Sequence, residues 1–133
     1  MLRDRICLIS RKPRNDHKGS FLKVLTEAEK NLNTGSGEVY VTITKPGKLR
    51  GNHYHKTTNE WFTVVQGHAD LRLRDMETGE EFNLELSAAE PVTLFVPCGI
   101  AHAFLTKGDE DMILIACTDL QYDPSDDVLC QLF

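Results

Sequence analysis

Nowhere in this 133-residue chain does an apolar run approach the roughly 20 residues that a membrane-crossing helix needs. The opening MLRDRICLISRK lacks a long apolar core and a small-residue cleavage site, so no secretory leader is expected. Cys7, Cys98, Cys117 and Cys130 form no CxxC pair, which argues against a cysteine zinc site or a disulfide framework. Free thiols fit the cytoplasm. Lys and Arg are scattered, and RKPR near the start is too short to count as a patch. With a formal net charge of −5, no nucleic-acid partner is expected, because that affinity rests on clustered cations. No repeat, linker or second domain is visible; a chain of this length encloses one core but hardly two. What is present, 41% apolar and 26% charged residues, is the composition of a globular protein.

Short strands broken by turn residues dominate the pattern. Val39–Thr44 is β-branched with period two and is turned by Lys45-Pro46-Gly47. Glu60–Val65 is a strand ended by Gly67. Ala69–Asp75 alternates apolar and polar residues and meets Glu81–Leu86 across Glu77-Thr78-Gly79-Glu80, the signature of a hairpin with one half-exposed face. Pro91–Val96, His102–Leu105 and the very apolar Met112–Cys117 complete the set. Only Thr26–Leu32 reads as helical. The expectation is an all-β single domain over residues 1–133: N-terminal strands within 5–25, a barrel core about 38–118 and an acidic, turn-rich tail 119–133.

Within that frame RGNHYH, Arg50 to His55, stands out. Residues two apart on a strand share a face, so His53 and His55 lie side by side, and Glu60 opens the next strand. His102 follows the turn Pro97-Cys98-Gly99. Three imidazoles and a carboxylate converging inside a barrel would suit Zn²⁺, Fe²⁺, Mn²⁺ or Ni²⁺. Taken alone, the HxH pair is equally compatible with solvated or singly hydrogen-bonded histidines. Tyr40 could simply pack a barrel wall, Arg50 could be solvated, and Trp61 and Phe62 read as core. Cys98 reads as a small buried hydrophobe, and His17 and His68 as surface residues without a role.

Gly47, His53, His55, Glu60 and Gly67 stand at the spacing of the first cupin motif: glycine, five residues, HxH, four residues, Glu, six residues, Gly. Pro97, Gly99 and His102 resemble the heart of the second motif, PxGxxH, although Pro91 replaces its opening glycine and Thr106 its closing asparagine. The resemblance implies a double-stranded β-helix, the cupin jelly-roll barrel, with His53, His55, Glu60 and His102 lining its mouth as metal ligands. RGNHYHKTTNEWFTVVQG, VPCGIAH and YDPSDD further resemble the C-terminal cupin domain of capsular polysaccharide enzymes acting on nucleotide-linked hexuloses. Asp16-His17-Lys18-Gly19-Ser20-Phe21 is similar to the DxxGxF opening of the dTDP-4-keto-6-deoxyhexose epimerases and 3,4-ketoisomerases, and Arg50, Gly51 and His53 match their RGxH motif.

These resemblances imply an epimerase or ketoisomerase acting on a nucleotide-activated 4-keto-6-deoxy sugar for surface polysaccharide. Such chemistry removes a proton beside a carbonyl and returns it elsewhere, which needs a near-neutral base, enolate stabilisation and an acid. The expected base is His53, with His55 as partner or ligand, Tyr40 as acid and Arg50 gripping a diphosphate or the keto oxygen. A metal-bound nitrogen cannot also accept a proton, so the two roles of His53 compete. Zinc is the favoured metal; the dTDP-sugar relatives imply that metal-free function is also open. Fold alone settles no function. An iron-dependent dioxygenase on a small molecule and a non-catalytic sugar-binding cupin are therefore the rival readings. Edge strands such as Arg5–Ile9 suggest a homodimer.

Overall fold

Side chains alternate across a strand, so a strand covering a core on one side must alternate in burial. Strand β7 (His68–Asp75) does so, burying Ala69, Leu71, Leu73 and Asp75 while the residues between them are more open. The computed structural model describes residues 1–26 and 37–133. Before β7 come α1 (Leu2–Arg5), β1 (Cys7–Ser10), β2 (Arg14–Asp16), β3 (Gly19–Phe21), β4 (Val39–Thr44), β5 (Leu49–His55) and β6 (Glu60–Gln66). After it come β8 (Glu81–Ser87), β9 (Val92–Val96), β10 (Ile100–Lys107), β11 (Met112–Thr118) and β12 (Asp127–Leu129).

Two antiparallel five-stranded sheets result, ordered β1-β9-β6-β11-β4 and β12-β5-β10-β7-β8. From β4 to β12 the chain passes repeatedly from one sheet to the other, the course of a double-stranded β-helix. Phe62, Val64, Leu94, Val96 and Leu114 from one sheet and Leu71, Leu73, Leu86, Ile100 and Phe104 from the other form the core between them. The rings of Phe62 and Phe104 meet edge to face, 5.1 Å between centroids. Each such fully buried side chain contributes about 1.5–3 kcal/mol. Trp61, Phe95 and Cys117 make a smaller cluster against Leu25 and Ile115. All four cysteines are free thiols; Cys117 is buried and Cys98 half-buried.

The turns follow their local chemistry. Asp75 accepts hydrogen bonds from the backbone N–H of Glu77 and Thr78, and Gly79 takes a φ of +78° to close the β7–β8 hairpin. The DHKGSF segment is the β2–β3 hairpin, where Asp16 accepts from the Lys18 N–H at 2.8 Å. Residues Leu2–Arg5 form a helical turn, so the edge strand expected from Arg5 starts at Cys7. Leu2 is buried, its N–H donates to Glu80, and Arg5 pairs with Asp75. The helix expected over Thr26–Leu32 lies, apart from Thr26, outside the described residues.

Candidate functional site

Strand β5 positions the first two imidazoles. Asn52 is an extra residue in its pairing with β10, because His53 faces His102 while Gly51 faces Ala103. Asn52 has φ +58°, Gly51 has φ +91°, and a Cβ on Gly51 would stand 2.6 Å from the His102 carbonyl oxygen. The bulge re-aims the strand so that His53 and His55, a period of two apart, both face the barrel interior. Their ring centroids are 5.1 Å apart, and those of His53 and His102 are 4.9 Å apart. Glu60 opens β6 and is buried, as is His102 on β10.

The carboxylate of Glu60 is the centre of the cluster. Its Oε1 lies 3.1 Å from His55 Nε2 and 3.3 Å from His102 Nε2, and its Oε2 accepts the Tyr40 hydroxyl at 3.0 Å. One nitrogen or oxygen from each of His53, His55, Glu60 and His102 can be chosen so that all four atoms lie within 4.8 Å of one another. His53, His55 and Glu60, together with Tyr40, Asp126 and Asp127, line a cavity of about 260 Å³.

Each imidazole has an oxygen behind it, hydrogen-bonded for His55 and His102 and in ion-pair contact only for His53. His53 Nδ1 meets Asp127 Oδ1 at 2.9 Å, His55 Nδ1 meets Asp126 Oδ2 at 3.2 Å, and His102 Nδ1 reaches the Ile100 carbonyl at 3.3 Å. Asp126 is itself fixed by the Thr57 N–H, the Thr57 hydroxyl and the Thr58 hydroxyl, at 2.7, 2.8 and 2.7 Å. Burial works against its charge, but those donors and His55 outweigh it and hold the carboxyl at about 2. Both aspartates come from the C-terminal segment, where β12 pairs Asp127 with His55 and Leu129 with His53. They are the site residues that sequence reasoning missed. The YDPSDD run was the available signal, but its resemblance gave no role to either acid.

Burial pushes His102 down to about 4, against the pull of Glu60, so its ring is neutral near pH 7. Burial also opposes charge on His55, yet the negatively charged Glu60 carboxylate beside it raises it above the usual imidazole value. Glu60 in turn is lowered: His55 and His102 overcome its own burial. Burial first, and Glu60 next, lift the Tyr40 phenol far above its ordinary range, so it keeps its proton.

These contacts test whether the cluster fits a cation. With Nδ1–H given to Ile100, neutral His102 turns a bare lone pair on Nε2 toward Glu60 Oε1. That oxygen is buried and has no hydrogen bond of acceptable alignment despite its two imidazole neighbours. Converging lone pairs of this kind are what a divalent cation satisfies, and nitrogen and carboxylate donors suit zinc and its neighbours. The donor set fits.

The structure thus brings His53, His55, Glu60, His102 and Tyr40 together. It does not bring Arg50, whose Nε donates to Thr44 Oγ1 at 3.0 Å and which does not line the cavity. His17 is exposed, and His68 lies 3.9 Å from Glu85 on another face. Trp61 and Phe62 are core residues.

A double-stranded β-helix with an HxH pair, a glutamate and a third histidine at its mouth defines a cupin. More narrowly, residues 14–128 match the family model described as the polysaccharide biosynthesis C-terminal domain, and the chain belongs to that family. It is 26% identical over 115 residues to the spore coat polysaccharide biosynthesis protein SpsL of Bacillus subtilis, covering 83% of this chain and 76% of that protein. It is 30% identical over 122 residues to a dTDP-4-dehydrorhamnose 3,5-epimerase of Methanothermobacter thermautotrophicus, covering 84% of this chain and 65% of that enzyme. Its fold matches the crystal structure of a dTDP sugar isomerase from Desulfovibrio desulfuricans G20 with a TM-score of 0.87 at 18% identity, over 95% of this chain and 83% of that one. Among the described residues, no helix is long and apolar enough to cross a membrane.

Proposed function

We propose that the chain is an epimerase or ketoisomerase that moves a proton beside the ketone of a nucleotide-activated 4-keto-6-deoxy sugar, in the making of a surface polysaccharide. One observation carries this reading: the His53–Asp127 pair, 2.9 Å apart, lies in the same small cavity as a protonated phenol, Tyr40. The relatives named above, a 3,5-epimerase and a spore coat polysaccharide protein, support it.

In this reading His53 Nε2 takes the proton from the carbon next to the ketone, and the electrons of that C–H bond pass into an enolate. Asp127, with Oδ1 2.9 Å from Nδ1, steadies the imidazolium by its charge, while a protonated group such as Tyr40 or the imidazolium itself returns a proton. Return to the opposite face inverts the centre; return to the far carbon of an enediol moves the carbonyl. A divalent cation, zinc above iron, manganese or nickel, would be held by members of the His53, His55, Glu60 and His102 set and would polarise the keto oxygen. Arg50 remains a candidate for the diphosphate only from outside the cavity. A cytoplasmic homodimer belongs to the same proposal.

Incubation with dTDP- and UDP-linked 4-keto-6-deoxyhexoses in deuterated water tests it. Solvent deuterium is expected at carbons flanking the ketone; its absence with every such sugar overturns the reading.

A further inference from the structure

Strand β12 carries Asp127 and follows directly on Asp126, yet it has little hold of its own. It is three residues long, lies at a sheet edge and leaves Leu129 exposed. At its start the Lys56 N–H donates to the Asp126 carbonyl at 3.0 Å. Past its end the chain is gathered onto one residue, Asn52. The Asn52 carbonyl accepts the Cys130 N–H at 2.8 Å, and its side-chain Oδ1 accepts the N–H of Leu132 at 2.9 Å and that of Phe133 at 3.4 Å. An apolar anchor backs these bonds. Ala101 and Ala103 flank His102 on β10, so they point away from the cavity, and the buried Leu132 packs on them beside Tyr54 and Phe133. Arg72 donates to the Leu132 carbonyl at 2.8 Å and sets its guanidinium 4.1 Å from the centre of the Phe133 ring. The match to the family model ends at residue 128, so residues 129–133 lie beyond it.

We infer that Asn52 is a positioning residue: it clasps the segment after β12 and thereby keeps Asp126 and Asp127 in place beside His55 and His53. One side chain meets two demands there. Its φ of +58° lies in the left-handed region, which glycine and asparagine enter most readily, and its amide oxygen is an acceptor that glycine lacks. The bulge that turns His53 and His55 inward is thus also the point that ties down the chain bearing the two acids. Both halves of the site hang on it, although they come from segments 71 positions apart at His55 and Asp126. The use of this clasp in catalysis rests on the proposed isomerase reading; the clasp itself does not.

Amide hydrogen exchange of the full chain, read residue by residue, tests it. Asn52→Gly tolerates the backbone conformation and removes the acceptor, whereas Asn52→Asp keeps an acceptor of the same reach. In Asn52→Gly the Cys130 and Leu132 amides should exchange about 5–30-fold faster, the worth of one or two hydrogen bonds. The deciding amides are those of Lys56 and Thr57, which donate to Asp126 at the opposite end of β12. They should quicken by a similar factor in Asn52→Gly and stay within about threefold of the unaltered protein in Asn52→Asp. Leu132→Ala leaves Asn52 intact but strips the apolar anchor, and it should quicken the same four amides. Leu94→Val, a cavity in the core between the sheets, should quicken β11 amides and leave these four unmoved, which separates the clasp from a general loss of stability. Faster exchange at Cys130 and Leu132 with Lys56 and Thr57 unchanged overturns the inference, because the clasp would then end short of the aspartates. Failure of Asn52→Asp to restore the four amides overturns it too. With a 4-keto sugar in deuterated water, the double variant Asn52→Gly/Leu132→Ala should label the sugar at least about tenfold more slowly. Failure of the sugar reading looks different: the amides follow the expected pattern, but even the unaltered protein labels no sugar.

Discussion

His102 and His55 lie either side of one carboxylate oxygen, yet they answer to pH in opposite ways. A ring whose folded pKa is lowered to about 4 binds fewer protons folded than unfolded across the interval up to about 6.5. The metal-free protein should therefore be fully stable on this account above about pH 6.5 and lose stability as pH falls toward 4. The loss is on the order of 3 kcal/mol at the lower end. His55, raised instead, contributes stability that is present below about pH 6.5 and lost as pH rises through its folded value. Urea unfolding midpoints of chelator-treated protein between pH 4.5 and 7 check this. A decline on acidification is expected, and a profile flat over that range would show that His102 is not buried as a neutral ring.

Strand β5 carries the site because of its bulge, and Gly51 makes the bulge possible. Gly51→Ala would put a methyl group 2.6 Å from a carbonyl oxygen of β10 at a φ of +91°, where side chains are rarely tolerated. A loss of about 1–3 kcal/mol is expected, read as a shift in the denaturant midpoint. An unchanged midpoint would contradict the tight approach. Elements of this size were largely legible in the sequence. Val39–Thr44 is β4 to the residue, and the expected hairpin of residues 69–86 is β7–β8, because alternation and turn chemistry act over a few neighbouring residues. HxH at period two likewise placed His53 and His55 on one face. The bulge at Asn52 was not legible, since it depends on where β10 arrives. Nor were the partners of the histidines. His55 and Asp126 are 71 positions apart, and a three-residue strand such as β12 has no period to read.

At the scale of the whole molecule, the two sheets leave four edges: β1 and β4 in one, β12 and β8 in the other. Strand β4, paired among the described residues with β11 on one side only, exposes Val39, Val41 and Ile43 at 73%, 58% and 58%, an apolar row on an edge strand. Edges of this kind favour pairing with a second copy. Light scattering at micromolar concentration is expected to give twice the 15.0 kDa mass of the chain, and the single mass would refute the dimer. The order of the strands has another consequence, for the birth of the protein. A ribosome that has just made His55 must still add 71 residues before Asp126 exists to receive it. At about 5–20 residues per second that takes on the order of 4–14 s. During that interval the nascent His53 and His55 lack the aspartates that stand beside them in the folded chain, and the site cannot be complete until residues 126 and 127 have been made.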